Sequence, residues 1–313
     1  MMKWSRYTTV LPLLVTLFIA AHASGQQYKA TIPYESIGAN LPAIRIGLGG
    51  TASGTFVVDT GSSLDIISYS LARQLHLVLK PLTADDDKPA TLAGKRCVGA
   101  TITLNIGGIP VTVPVVVLPD AELAKLAGIK ADGILGDPSM SQFAILFDGP
   151  ARRVTFQYPG NLDTTGLKRI GMSGAERVPP FQAWRPGHVY VPIRLNNALE
   201  CSIVLDTGTN RTVIAAADAN SLHLEATEHD RTVYTIYGPL TMNFATLSSI
   251  NIGCTTLSNL GVVFPDKDYP RYGPHVGYDA LGQLVFVVDF PASRVYINPC
   301  RGIERAGPAE CCL

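Results

Sequence analysis

The sequence lacks any excess of charge. Its 313 residues include 25 Lys and Arg and 25 Asp and Glu, which gives a formal net charge of zero. Charged residues make up only 16% of the chain, and no basic stripe runs along it. Proteins that bind nucleic acid carry clustered Lys and Arg to neutralise phosphates. We therefore expect no nucleic acid partner.

The chain also lacks the short motifs of several common chemistries. It has no Cys-x-x-Cys pair and no Cys/His spacing typical of zinc sites, so we expect neither a metal nor a cofactor. Residues 47–52 begin like a dinucleotide-binding loop. The final Gly of that loop is missing and a strand pattern follows, which favours a hairpin turn. No Gly-x-Ser-x-Gly elbow of a serine hydrolase is present.

Long apolar runs are missing beyond the N-terminus. Residues 1–23 have the pattern of a signal peptide, because Lys3 and Arg6 precede an apolar stretch and Ala21-His22-Ala23 fits a cleavage site. The stretch is shorter than the ~20 apolar residues that a membrane span needs, although a retained anchor is the alternative. We expect a secreted or periplasmic protein without a stable membrane span after cleavage near Ala23.

Export would permit disulfide bonds. All six cysteines follow the predicted signal peptide, at positions 97, 201, 254, 300, 311 and 312. We expect a Cys201–Cys254 bond and a bond from Cys300 to Cys311 or Cys312, although sequence alone does not fix the connectivity.

The residues that are abundant point to strands and turns. The 29 Gly and 22 Pro separate many short β-branched runs, which predicts a mostly β architecture. One pattern occurs twice: residues 42–46 and 55–62 match residues 191–195 and 202–209. Each longer segment has three apolar residues followed by Asp-Thr-Gly, so Asp59 and Asp206 occupy equivalent places in a duplicated unit.

The two halves stay similar downstream of these aspartates. Each half contains an Asn-Ile-Gly turn and, later, a glycine at the end of a short apolar segment, Gly136 in the first and Gly277 in the second. The repeat predicts two β-rich lobes, at 24–160 and 188–300. A linker rich in Gly, Pro and polar residues would join them at 161–187, and 301–313 would form an irregular tail.

An aspartate at the end of an apolar strand destabilises the fold unless its carboxylate is hydrogen-bonded, and it is otherwise kept for a function. One such copy is also an ordinary way for a strand to end in a turn. Two copies in equivalent lobes are more informative, because a pseudo-twofold axis would bring Asp59 and Asp206 face to face. Adjacent carboxyl groups share a proton, which provides an acid and a base in a single site.

These segments resemble a known family. Residues 59–62 with 134–136, and residues 206–209 with 275–277, are similar to the paired motifs of the pepsin/retropepsin superfamily of aspartic peptidases. In its size and in the spacing of its lobes, the chain is most similar to bilobed bacterial homologues. The resemblance covers nearly the whole mature chain. It implies two acid-protease lobes around a central cleft, with neither a metal nor a covalent intermediate.

The resemblance also assigns roles to individual residues. Asp59 and Asp206 would hold a water, one taking its proton as it attacks the scissile carbonyl and the other hydrogen-bonding the oxyanion. The supporting roles belong to matched pairs of the two lobes. Thr60 and Thr207 would lock the loops together, Gly61 and Gly208 would allow tight turns, Ser62 and Thr209 would bond the outer carboxylate oxygens, and Gly136 and Gly277 would lie under the loops.

A peptidase of this kind also needs a flap over its substrate. The candidate lies between Pro81 and Val98, with Ala93 and Gly94 near its tip, and an ordinary surface hairpin is the alternative. The tip has no Tyr, unlike the flap of pepsin. His275 stands where the family has an apolar residue, and we weigh a packed structural role against a role in pH dependence.

The sequence thus predicts a secreted aspartic endopeptidase that acts as a monomer on an extended polypeptide substrate. The alternative is a relative without catalysis, a two-lobed binding or inhibitor protein that holds a peptide in the same cleft.

Overall fold

The computed structural model describes residues 28–38, 40–49, 52–83, 90–92, 95–126, 131–172, 174–178, 188–235, 238–253, 255–269 and 273–298. The predicted signal peptide at 1–23 and tail at 301–313 lie outside these residues. Within them, no helix combines the length and the apolar character that crossing a bilayer requires.

The first half of the chain consists of short strands interrupted by one- or two-turn helices. Its strands are β1 (Tyr28–Pro33), β2 (Glu35–Ile37), β3 (Leu41–Gly47), β4 (Ser53–Val58), β5 (Ile66–Ser68), β6 (Lys80–Pro81), β7 (Thr91–Leu92), β8 (Lys95–Arg96), β9 (Val98–Ile106), β10 (Ile109–Leu118), β11 (Gly133–Leu135), β12 (Ala144–Asp148) and β13 (Arg153–Tyr158). Its helices are α1 (Tyr69–Gln74), α2 (Asp120–Lys125) and α3 (Asp137–Met140).

The second half follows the same plan after a short connecting region. The connection contains α4 (Thr164–Arg169) and β14 (Glu176–Arg177). The strands that follow are β15 (Tyr190–Leu195), β16 (Leu199–Leu205), β17 (Thr212–Val213), β18 (Glu228–Thr235), β19 (Gly238–Ile252), β20 (Thr255–Phe264), β21 (His275–Val276), β22 (Val285–Asp289) and β23 (Arg294–Asn298). The helices are α5 (Ala216–Ser221) and α6 (Tyr278–Leu281).

Each half has its own sheet, and the strand orders correspond. The first runs β2-β3-β4-β11-β5-β10-β9-β6 and the second runs β15-β16-β21-β17-β20-β19-β18. In both sheets a short strand that leads to a glycine, β11 or β21, lies between the strand that ends at the aspartate and the strand that follows it. The prediction of a mostly β, two-lobed fold is confirmed.

A third sheet joins the lobes, with strand order β1-β13-β12-β22-β23-β14. Its central pair is β12 of the first lobe and β22 of the second, which run antiparallel from Ala144↔Asp289 to Asp148↔Val285. On this pair the buried rings of Phe147 and Phe286 stack with centroids 4.8 Å apart. The two lobes therefore share one hydrogen-bonded sheet and one apolar core.

The stretch at 161–187, expected from the sequence as a linker, contributes to this shared sheet. The side chain of Asp163 accepts a hydrogen bond from the backbone N–H of Gly166 and so caps α4. Beyond the helix, β14 pairs antiparallel with β23, the last strand of the second lobe. In the part that the structure describes, this stretch packs onto both lobes, because its apolar side chains share a buried cluster with Leu146 of the first lobe and Val287 of the second.

The expected Cys201–Cys254 disulfide is not found among the described residues, where Cys201 is a free thiol. Its partner Cys254 lies outside the described residues, as do Cys300, Cys311 and Cys312. Burial raises the pKa of the Cys201 thiol to about 12, so the thiol stays protonated at neutral pH.

We predict that Phe286→Ala lowers the free energy of unfolding by about 3–5 kcal/mol, because it empties a fully packed site between the lobes. Urea denaturation followed by tryptophan fluorescence and circular dichroism measures the loss. Tyr69→Ala, at a ring that is 46% exposed, is the control and should change stability by less than about 1 kcal/mol. A loss equal to the control's would show that the shared sheet does not hold the lobes together.

Candidate active site

The backbone of a short strand, β11 in the first lobe and β21 in the second, fixes each aspartate. The N–H of Asp59, which follows β4, donates to the carbonyl of Leu135 at 2.9 Å. In the second lobe the N–H of Asp206, which follows β16, donates to the carbonyl of Val276 at 3.0 Å. Asp59 and Asp206 therefore leave their sheets at equivalent points and in equivalent directions.

Each carboxylate is held by its own loop. The N–H of Gly61 donates to Oδ1 of Asp59 at 2.8 Å, and the N–H of Gly208 donates to Oδ1 of Asp206 at 2.9 Å. Such bonds to backbone N–H groups favour the ionised form of a carboxyl group. Both aspartates stay partly accessible to solvent, as reacting groups must.

Two buried threonines join the loops. The hydroxyl of Thr60 donates to the carbonyl of Leu205 at 2.7 Å, and the hydroxyl of Thr207 donates to the carbonyl of Val58 at 2.6 Å. Each hydroxyl also accepts the N–H of the other threonine, at 3.0 and 3.1 Å. Four reciprocal bonds thus cross between the lobes directly beneath the carboxyl groups.

The glycines allow the loops to approach this closely. A Cβ atom placed on Gly61 would lie 2.4 Å from Cγ of Asp206, and one on Gly208 would lie 2.0 Å from Cγ of Asp59. Real Cβ atoms do not approach other atoms so closely, so any side chain at either position would push the opposite carboxyl group away. The Asp-Thr-Gly motif is therefore required as a unit.

The carboxyl groups of Asp59 and Asp206 contact each other and behave as a pair. Burial and the adjacent charge of Asp206 raise the pKa of Asp59 well above its usual range. Burial also raises the pKa of Asp206, to about 6, while the N–H of Gly208 and a hydrogen bond from Asp59 lower it. The two carboxyl groups therefore share a proton and titrate as a pair.

The glycines that follow β11 and β21 lie under the loops that carry the two aspartates. A Cβ on Gly136 would be 2.3 Å from the carbonyl oxygen of Leu64, and a Cβ on Gly277 would be 2.5 Å from the carbonyl of Arg211. The structure thus places both glycines against the segments that follow Asp59 and Asp206, where a side chain would collide.

Ser62 and Thr209 bond the carboxylates through their backbone N–H groups rather than through their hydroxyls. The Ser62 hydroxyl donates to the carbonyl of Leu64 at 2.8 Å and bonds neither carboxyl group. Thr209 contributes its carbonyl, which accepts the N–H of Tyr278 at 2.7 Å. What both residues give to the carboxylates is their backbone N–H, Ser62 to Asp59 and Thr209 to Asp206. The tight turn after each glycine directs these N–H groups inward.

His275 is 4% exposed, and its Nδ1 bonds the carbonyl of Gly273 at 3.0 Å. Burial lowers its pKa to about 4, so the imidazole is neutral at physiological pH. This favours the packed structural role over a role in pH dependence. The flap candidates Ala93 and Gly94 lie outside the described residues, between the paired strands β7 and β8.

The sequence interpretation missed a buried carboxylate beneath the first loop. Asp65 is 2% exposed, and its two oxygens accept the N–H of Gly136 at 2.7 Å and the hydroxyl of Ser139 at 2.8 Å. It therefore connects the segment after Asp59 to both the glycine and the helix α3. Burial raises its pKa to about 7.

The second lobe makes the same connection with the groups exchanged. Here the loop supplies a hydroxyl, that of Thr212, which accepts the N–H of Gly277 at 3.1 Å and donates to Asp279 on α6 at 2.8 Å. Asp65 and Thr212 each lie six positions after an aspartate of the pair, so aligning the two repeats residue by residue could have found them.

Comparison with known proteins agrees with this geometry. A model of the family described as aspartyl protease matches residues 44–138 and 191–280, one region in each lobe. The chain therefore belongs to the aspartyl protease family, and the resemblance inferred from its motifs is confirmed. A search of curated proteins finds no match.

We predict that Asp65 makes the protein less stable as pH rises from about 4 to about 7. Its folded pKa of about 7 lies above its value in the unfolded chain, so its stabilising effect is complete below pH ~4 and is lost as the buried group ionises. Asp65→Asn keeps an oxygen for Gly136 and cannot ionise. Its free energy of unfolding should therefore fall less than the wild type's between pH 4.5 and 8, by up to about 4 kcal/mol.

Denaturation at several pH values measures this difference. Asp163→Asn, which retains a good cap for α4, is the matched control and should follow the wild-type pH dependence. Parallel curves for the wild type and Asp65→Asn would show that Asp65 does not titrate in this range.

Proposed function

We propose that the chain is an aspartic endopeptidase in which Asp59 and Asp206 activate a water against a peptide bond. The observation that carries the proposal is the contact between the two carboxyl groups, each held by a glycine N–H of its own loop. A structural pair of aspartates would be buried without access to solvent, whereas both of these remain partly accessible.

A proton shared within the pair fits the two roles that hydrolysis needs, because one carboxyl group is then ionised while the other is protonated. The ionised Asp206 takes a proton from the water as the water oxygen attacks the scissile carbonyl carbon. The protonated Asp59 hydrogen-bonds the carbonyl oxygen as negative charge develops there. Proton transfer to the amine nitrogen then releases the two peptide products. The threonine bonds keep both carboxyl groups in place throughout.

The proposal extends to the location and form of the protein. The predicted signal peptide at 1–23 would direct the chain out of the cytoplasm, with cleavage near Ala23. A single chain supplies both aspartates, so the site needs no second chain, and we propose a monomer that acts on an extended polypeptide. N-terminal sequencing of the exported protein distinguishes cleavage from a retained anchor.

We predict that Asp59→Asn and Asp206→Asn each reduce kcat for cleavage of a denatured protein at least a thousandfold. Either change fixes the protonation state of one member and removes the acid–base pair. Cleavage is measured by mass spectrometry of the products, with unfolding curves to verify that the variants fold.

Asp163→Asn again provides a control with the same chemical change at a site far along the chain, and it should retain full activity. Activity that survives in both dyad variants would exclude the proposed chemistry. Peptide binding by a wild type that cleaves nothing would instead favour the binding or inhibitor alternative.

We predict a bell-shaped dependence of kcat/KM on pH, because only the singly protonated pair is active. The acid limb should report the pKa of Asp206, about 6, and the alkaline limb the higher pKa of Asp59. Initial rates from pH 3 to 9 measure the profile. A rate that continues to increase below pH 4 would contradict this assignment of the shared proton.

A further inference from the structure

The two loops that carry the aspartates have the same backbone but different side chains at one equivalent position. The fifth residue after Asp59 is Leu64, and the fifth after Asp206 is Arg211. The carbonyl groups of both lie against the glycines at the ends of β11 and β21, as the clashes of an added Cβ show. The pseudo-twofold relation therefore puts Leu64 and Arg211 at matching places on opposite sides of the carboxyl pair.

The first of these side chains is apolar and belongs to the core. Leu64 is half-buried and packs against the main apolar cluster. Its loop has no other charged side chain between Asp59 and the buried Asp65. At this position the first loop therefore offers a substrate an apolar side chain rather than a charged one.

The second side chain is exposed and cationic, and it is held in position. The guanidinium of Arg211 lies 5.8 Å from the ring centroid of Phe244, close enough for a cation–π contact. Phe244 packs beside a small apolar cluster of Val213, Met242 and Val263. Val213 is two residues beyond Arg211, so this buried cluster lies next to the Asp206 loop and supports the ring that the guanidinium contacts.

No carboxylate of the described residues pairs with Arg211. Burial raises the pKa of Asp279, and the charge of Arg211 opposes that rise as the smallest of its causes. The oxygens of Asp279 are occupied, since they accept from the N–H and hydroxyl of Thr212 and from the N–H of Ala280. The N–H donors of Arg211 thus remain available for a carboxylate from outside the chain, which a guanidinium can bind through two parallel bonds.

We infer that Arg211 selects substrates with an acidic side chain, Asp or Glu, in the subsite of the second lobe, while the matching subsite beside Leu64 takes an apolar side chain. This inference rests on the proposed peptidase function and adds a substrate class to it. The backbone is duplicated, so the direction of an extended substrate in the cleft is set by this difference in side-chain charge.

The test is cleavage of paired peptides by the complete mature protein. The peptides are capped at both ends, so that a side chain carries the only carboxylate, and each pair differs by Glu against Gln at a single position. One pair is made for each position around the scissile bond. At one position, wild type should prefer Glu in kcat/KM by about tenfold to a hundredfold, the range for a charged hydrogen bond.

Arg211→Leu gives both lobes the same side chain and should abolish the preference for Glu, so that the ratio of kcat/KM for the Glu and Gln peptides falls to about one. Arg211→Gln gives a second neutral variant if Leu impairs folding, and Arg211→Lys should restore part of the preference. Arg194→Leu removes an exposed arginine of the same lobe that bonds Glu200, and should leave the preference unchanged. A Glu/Gln ratio that is the same in wild type and Arg211→Leu at every position overturns the inference.

Failure of the proposed function gives a different result. If wild type cleaves neither peptide of any pair, hydrolysis is contradicted, and the same peptides are compared by affinity instead. A Glu preference in binding that Arg211→Leu abolishes would still support the role of Arg211. Equal affinities for Glu and Gln peptides would overturn it.

Discussion

The contact between two carboxyl groups is the constraint on which the rest of the site depends. Two carboxylates so close repel each other, so the contact persists only if surrounding bonds fix the loops and a proton is retained. Thr60 and Thr207, 1% and 0% exposed, supply the crossing hydrogen bonds, and the absence of a side chain at Gly61 and Gly208 supplies the space. Strands β11 and β21 then anchor each aspartate backbone from behind. A change in the threonines, the glycines or the two strands would therefore displace the carboxyl groups of the pair.

The duplication preserves backbone geometry more strictly than side-chain chemistry. Beneath the first loop a carboxylate on the loop meets a hydroxyl on the helix, and beneath the second a hydroxyl meets a carboxylate. The residues after the two glycines show the same divergence. The N–H groups of Asp137 and Tyr278 make matching bonds to Ser62 and Thr209, yet only Tyr278 continues through its hydroxyl to Tyr34 of the other lobe. The active-site backbone is thus symmetric within unlike surroundings.

The sequence alone predicted the features that follow from a local pattern of residues or from the internal repeat. Three apolar residues before each Asp-Thr-Gly identified the strands that end at Asp59 and Asp206, and the repeat identified the lobes. The pairing of β14 with β23 was not predictable, because it joins segments distant in the chain and composed like a linker. The hydrogen bonds of Ser62 depend on the exact path of one turn, which the sequence pattern does not specify. Whether Cys201 is a free thiol depends on which side chains lie next to it in the folded chain.

The symmetric backbone cannot itself decide which aspartate carries the shared proton. The glycine N–H groups bind Asp59 and Asp206 at 2.8 and 2.9 Å, a difference too small to separate their proton affinities. The difference comes instead from burial and from the direct contact between the two carboxyl groups. That contact can give the two halves of a duplicated site separate roles while the aspartates stay identical.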